Sequence, residues 1–175
     1  MFFYDTILLG DKMKNHKFKI NKKVLLYIII GIVVLLFICF LIFRNRKMTC
    51  TLESNQEQNG YVLNTTYTAI YNRGIVKKVI IHETITSEDD TVLDKFETDW
   101  KEQYDYNSKA FGGYQYQINK KNQKVTSDIE IDYKVFNLQK FIRFNNAMKE
   151  YVNDKNQVTI QGIKTMYEKS GAICK

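Results

Sequence analysis

Between Val24 and Phe43 the chain reads VLLYIIIGIVVLLFICFLIF, twenty residues without a charge. At about 1.5 Å per residue such a run covers a hydrocarbon core of about 30 Å, and it predicts a transmembrane helix. A helix buried in a soluble core would show a polar side, and this one shows none. Downstream the period changes. Tyr61 to Tyr71 alternates, with Leu63, Tyr67, Ala69 and Tyr71 on one side and Asn64, Thr66 and Thr68 on the other, as a half-buried strand does. Asn72-Arg73-Gly74 supplies a tight turn. Ile75 to Thr86 then places Ile75, Val79, Ile81 and Ile85 on one face and Lys78, His82 and Thr84 on the other, which completes a hairpin.

A helix is predicted from Asp90 or Thr91, either of which can cap it, with Val92, Leu93, Phe96, Trp100 and Tyr104 at spacings of three and four. Gly112-Gly113 breaks it. Tyr114 to Asn119 and Val125 to Tyr133 form a second hairpin around Lys120-Lys121-Asn122, with Val125, Ile129, Ile131 and Tyr133 inward. A second helix follows Asn137, with Leu138, Phe141, Ile142, Met148, Tyr151 and Val152 as its stripe. A short apolar piece, Val158 to Ile160, and a last helix around Ile163, Met166 and Tyr167 end at Gly171, a C-cap residue. The order is ββα twice over. The predicted architecture is α+β, an antiparallel sheet built from two ββα units with helices on one face, preceded by one transmembrane helix. The domain plan is a short basic segment over 1–23, the span over 24–43, a stalk over 44–59 and the folded domain over 60–175.

Charge decides where such a chain works. Its length of 175 residues has room for one ordinary domain plus an anchor. The net charge of +7 suggests a polyanion partner until its position is read. Residues 1–47 carry nine basic side chains against Asp5 and Asp11, which gives 9 − 2 = +7, and the remainder is balanced. The folded part offers no bulk field for a nucleic acid, so none is expected as a partner. Six lysines between Lys12 and Lys23 outweigh Arg44, Arg46 and Lys47, which places the N-terminus in the cytoplasm and the domain outside it. No small-x-small cleavage site follows the apolar run, so the span is expected to stay as a signal-anchor in the lipid bilayer. Neither Cys39 nor Cys50 follows the small residue that bacterial lipidation needs; Cys39 reads as a small apolar residue of the span. The basic lead MKNHKFKINKK begins at Met13, which is the expected translation start, since Gly10-Asp11-Lys12 fits a GGA-GAT-AAA ribosome-binding sequence. Lysine outnumbers arginine 22 to 4 and proline is absent, the bias of an AT-rich bacterial genome.

Cys50 and Cys174 bracket the domain, whose termini are expected to lie close together. A disulfide between them in an extracytoplasmic setting is one reading, and two free thiols in a reducing envelope is the other. Of the two histidines, His16 lies in the basic lead, and His82 reads as an exposed strand residue beside Glu83. Asp128, Glu130 and Asp132 alternate along a strand as a solvated face does, whereas calcium loops gather their oxygens at a turn, so no metal is expected. Ser-His-Asp, CxxC, P-loop and dinucleotide patterns do not occur; no catalytic residue and no cofactor is assigned, and the protein is expected not to be an enzyme. Tyr104, Tyr106, Phe111, Tyr114 and Tyr116 surround the Gly112-Gly113 break and form a candidate partner surface, with a sheet face as the alternative. Asn64-Thr65-Thr66 matches a glycosylation acceptor that a bacterial chain does not use.

The runs YNRGIVKKV (Tyr71 to Val79), GGYQY (Gly112 to Tyr116) and IEIDYKVFNL (Ile129 to Leu138), together with the domain size, resemble the YehR-like family of small bacterial envelope lipoproteins. The resemblance covers the outer domain and implies the same location, with no functional residue to carry over; the family's lipidated cysteine has no counterpart here. The expected function is that of an anchored, extracytoplasmic, non-enzymatic module binding a protein or envelope component. The alternative is an accessory subunit acting through its transmembrane helix. A small-ligand sensor is disfavoured, because about twenty cytoplasmic residues hold no folded output domain.

Overall fold

The computed structural model describes residues 22–56 and 60–175. The basic segment 1–23, except Lys22 and Lys23, lies outside the described residues, and with it His16 and the start expected at Met13. The chain divides into two compact units, Met1–Leu41 and Ile42–Lys175.

Helix α1 runs Lys22–Phe43 and is long and apolar enough to cross a membrane. Its large side chains face outward, Leu35 and Phe37 each 62% exposed. A helix apolar on every side, whose interior backbone groups bond within it, is of the kind that can cross a bilayer.

The second unit holds β1 (Arg46–Gln56), β2 (Tyr61–Asn72), β3 (Ile75–Thr86), α2 (Asp90–Phe111), β4 (Tyr114–Lys121), β5 (Lys124–Asp132), α3 (Leu138–Phe144), a 3-10 helix (Asn146–Tyr151), α4 (Ile160–Lys169) and β6 (Ile173–Cys174). The six strands form one antiparallel sheet in the order β4-β5-β3-β2-β1-β6. Both expected hairpins are present. Arg73 (φ 49°) and Gly74 (φ 77°) both take left-handed backbone, the two-residue turn whose twist suits flanking strands.

Three expectations change. Residues 46–56, read as stalk, form strand β1, which pairs with β2 from Arg46↔Tyr71 to Gln56↔Tyr61. Met48 and Cys50 alternate inward and are buried there, while the polar residues between them face out. Helix α2 is capped by Asp89 rather than Asp90 or Thr91, because the Asp89 carboxylate accepts the Thr91 amide at 2.8 Å; that bond holds Asp89 below its ordinary pKa. The second helix stops at Phe144, since Asn145 takes extended backbone (φ −122°, ψ 92°) and the chain resumes as a 3-10 turn. Asn145-Asn146 are weak helix formers with side chains that compete for backbone partners.

All three helices of this unit lie on one face of the sheet. Met48, Cys50, Ala69, Val79, Val158 and Ile163 form the core beneath α4. Ile85, Leu93, Trp100, Tyr104, Val125 and Ile129 form the core beneath α2. Val79, Ile85, Leu93, Val125 and Ile163 are fully buried, each contributing about 1.5–3 kcal/mol. The α4 end of this packing closes on backbone: a Cβ at Gly162 would stand 2.4 Å from the Tyr151 carbonyl oxygen and 2.7 Å from its Cα. We therefore expect Gly162→Ala to destabilise the fold by about 1–3 kcal/mol in urea denaturation of the full chain in detergent. An unchanged midpoint would mean that α4 does not rest on the Tyr151 backbone.

Candidate functional site

Cys50 and Cys174 face each other in the β1–β6 register, their sulfurs 2.01 Å apart in a disulfide. β6 has two residues, and its backbone ladder is extended by Lys175 and Thr49, which exchange bonds of 2.8 and 3.1 Å.

The five aromatics around the glycine break do not share one surface. Tyr104, Phe111 and Tyr114 are buried in the core beneath α2. Tyr116 is half-buried and donates its hydroxyl to Asp105, a bond that holds the Asp105 carboxyl below its ordinary range. Only Tyr106 of the five stands exposed, at 51%. Their physical role is largely packing, because α2 runs antiparallel to β4 and stacks its inward rings on the strand that follows the break.

Sequence reasoning passed over Glu83. Period-2 counting through Val79, Ile81 and Ile85 puts it on the inner face, and there it sits, half-buried, with Thr65 and Ser127 beside it in register. Tyr104 and Ser127 both donate hydroxyls to Glu83 Oε2, the latter at 2.7 Å. Burial first, and the Glu83 charge second, raise Tyr104 well above the ordinary tyrosine pKa. Ser127 is fully buried and Tyr104 nearly so, and this cluster ties α2 to the sheet.

On the opposite, helix-free face, His82 Nδ1 lies 2.7 Å from Asp128. Glu130 pairs with Lys78, and Asp132 accepts the Lys134 amide at 2.9 Å. The three alternating acids thus take three different partners. Among the described residues no three His, Cys, Asp or Glu side chains converge as a metal set.

The feature that sequence reasoning did not foresee is a cleft of about 430 Å³ at the end of the sheet where β3 begins. Val76, Lys77, Tyr133, Lys134, Phe136 and Leu138 are among its walls. A β-bulge builds it: Tyr71 pairs with Val76 and Ile70 with Lys78, leaving Lys77 as the extra residue. Alternation outward from Val79 would turn Val76 to solvent; the bulge turns it into the core while Lys77 stays at the cleft. Three segments are fastened there by backbone bonds. Val76 donates to Val158 at 2.9 Å, Tyr133 to Lys77 at 3.0 Å and Ile160 to Gly74 at 2.9 Å. Tyr133 is pushed above the usual tyrosine range by burial. The sequence signal was present in Val76-Lys77-Lys78-Val79, where apolar residues three apart break strict alternation. A second hollow, of about 600 Å³, lies at the other end of the sheet by Tyr61 and Ser87.

No family model matches this chain, and no curated protein matches it. Two solved structures are similar in fold. The NMR structure of Escherichia coli YehR is 16% identical, with a TM-score of 0.50 over 74% of this chain and 91% of that one. The NMR structure of a protein from Streptococcus pneumoniae TIGR4 is 12% identical, with a TM-score of 0.45 over 75% of this chain and 86% of that one. The YehR likeness shows a shared α+β fold.

Removing the carboxylate in Glu83→Ala strands two buried hydroxyls, and a loss of about 1–3 kcal/mol in chemical denaturation is expected. Glu83→Gln, which keeps an acceptor, should lose less. Equal losses would show that the carboxylate does not act as the shared acceptor.

Proposed function

We propose that this is a single-pass membrane protein with a cytoplasmic N-terminus, whose disulfide-closed domain lies outside the cytoplasm and serves as a non-enzymatic binding module for a protein or envelope component. The observation that carries the binding part is the cleft that Lys77 and Lys134 line: apolar walls with two lysines among them, held by backbone bonds from three segments. Binding sites combine such walls with a few placed polar groups. The location is supported by α1 together with the Cys50–Cys174 bond, since disulfides persist in oxidising compartments.

Labelling of intact cells with a membrane-impermeant maleimide should modify the half-buried Cys174 only after reduction. Failure to label in either state, with normal labelling of the denatured chain, would put the domain in the cytoplasm. A photo-crosslinking amino acid at Gln139, on the cleft, should capture an envelope component in intact cells, whereas one at Gln115, on the helix-free face, should not. Equal capture at the two positions, or none at Gln139, would remove the cleft as the binding site.

A further inference from the structure

The cleft shares its end of the sheet with the place where the chain leaves α1. β1 begins at Arg46, three residues after Phe43, and three residues of extended chain reach about 10 Å. The β2–β3 turn is fastened at the same end, since Arg46 pairs with Tyr71 and the Asn72 side-chain amide donates to the Arg44 carbonyl at 3.2 Å. β5 ends and β4 begins there as well, with Lys78↔Asp132 and Tyr114↔Ile131 in register. The C-terminus of α2 and the N-terminus of α3 meet beside them, where Asn137 donates to the Phe111 carbonyl at 2.7 Å.

Two kinds of side chain gather at this end. Arg44, Arg46, Arg73 and Lys134 are exposed, and Lys77 is half-buried in the cleft. Against them stand Asp132, which caps the Lys134 amide, and Asp154, which has Lys155 next to it. The second kind is apolar. Outside α1, the large apolar side chains described as exposed are Ile80, Tyr106, Val135, Phe144 and Ile173, and three of these five cluster here. Val135 is 67% and Phe144 68% exposed, and the Phe144 ring lies 6.0 Å from that of Tyr106. The far end of the sheet carries charge of both signs, with Glu88, Asp89 and Asp90 opening α2 and Lys121 and Lys124 at the β4–β5 turn, but it has none of Tyr106, Val135 and Phe144. Exposed aromatic and aliphatic side chains mixed with arginine and lysine are the composition of a surface that rests in the headgroup layer of a bilayer.

We infer that this end of the domain is a membrane-contacting face, with Val135, Phe144 and Tyr106 entering the headgroup layer and the Lys77–Lys134 cleft taking the phosphate of an anionic phospholipid from the leaflet in which α1 is anchored. The inference rests on the anchoring reading and names the envelope component as the membrane's own lipid. Lys77 and Lys134 in the cleft lining supply the charge, and Val76, Phe136 and Leu138 supply the apolar floor for the glycerol and first methylenes.

The test uses the full chain with Cys39→Ala, reconstituted in nanodiscs of phosphatidylcholine alone or with phosphatidylglycerol. A nitrobenzoxadiazole label is placed at Val135→Cys or, at the far end, Glu88→Cys. With phosphatidylglycerol present, the label at 135 should brighten and shift to the blue while that at 88 stays aqueous. Lys77→Gln and Lys134→Gln should each lower the docked-to-free ratio about fivefold, with added salt acting in the same direction. Aqueous spectra at both positions in incorporated protein overturn the lipid face and leave the anchor intact. A blue shift equal in both lipids overturns the anionic headgroup, and one that persists in detergent alone replaces lipid with a second copy of the chain. A chain that fails to enter the nanodisc overturns the anchoring reading itself.

Discussion

The unit from Ile42 to Lys175 depends on where its two ends meet. β1 follows α1 after two residues and lies between β2 and the two-residue β6, so the first strand of the domain is also the one that receives the last. Two residues of ladder are too few to hold a C-terminus in place; the Cys50–Cys174 bond holds it. Closing a loop with a sequence separation of 124 removes denatured-state freedom equivalent to about 4 to 5 kcal/mol on the chain-entropy model. Cys50 is fully buried, and Met48, Ala69, Ile163 and Tyr167 pack in the same core, so α4 is held over the sheet through that junction. The cleft inherits the constraint. Val158, whose carbonyl receives the Val76 amide at the cleft wall, belongs to the segment leading into α4.

Much of the fold was legible because its pieces obey local rules. The alternation in β2 and β3, the left-handed pair Arg73-Gly74 and the three-and-four spacing of Leu93, Trp100 and Tyr104 each determine an element without reference to the rest. What stayed hidden depends on partners distant in sequence. β1 reads RKMTCTLESNQ, and the inward alternation of Met48 and Cys50 is thin until β2 and β6 flank it. The second helix looks continuous by its apolar stripe, but an extended Asn145 ends it, and Tyr151 instead supplies the backbone on which Gly162 rests.

The candidate site was the least legible part, for two separate reasons. Glu83 stood in a strict period-2 row, yet its polarity argues for solvent until Tyr104 and Ser127 are brought to it from α2 and β5. Lys77 stood beside Lys78, and nothing in the strand alone says that one lysine belongs to the outer face, paired with Glu130, and the other to a cleft. That separation is made by one extra residue in β3. Of the aromatics near Gly112-Gly113, Tyr104, Phe111 and Tyr114 are buried in the core beneath α2, in keeping with the sheet-face alternative. The fold shared with YehR helps with none of this, because a fold positions a site without specifying its chemistry.

A membrane face of this size would bind lipid weakly if the domain were free. Three exposed apolar side chains and a handful of basic ones amount to a modest interfacial anchor, and single anchors of that strength give reversible attachment. The covalent link to α1 changes the consequence. With two residues between α1 and β1, contact with the leaflet would be an intramolecular event at the high effective concentration of a short linker, on the order of millimolar. A weak interaction then suffices to populate a docked state without making it permanent. Because the same cleft is the binding site proposed for a protein partner, lipid and such a partner would compete for Lys77 and Lys134. Partner binding would therefore be coupled to lifting this end of the domain from the bilayer, by no more than the difference in affinity between the two occupants.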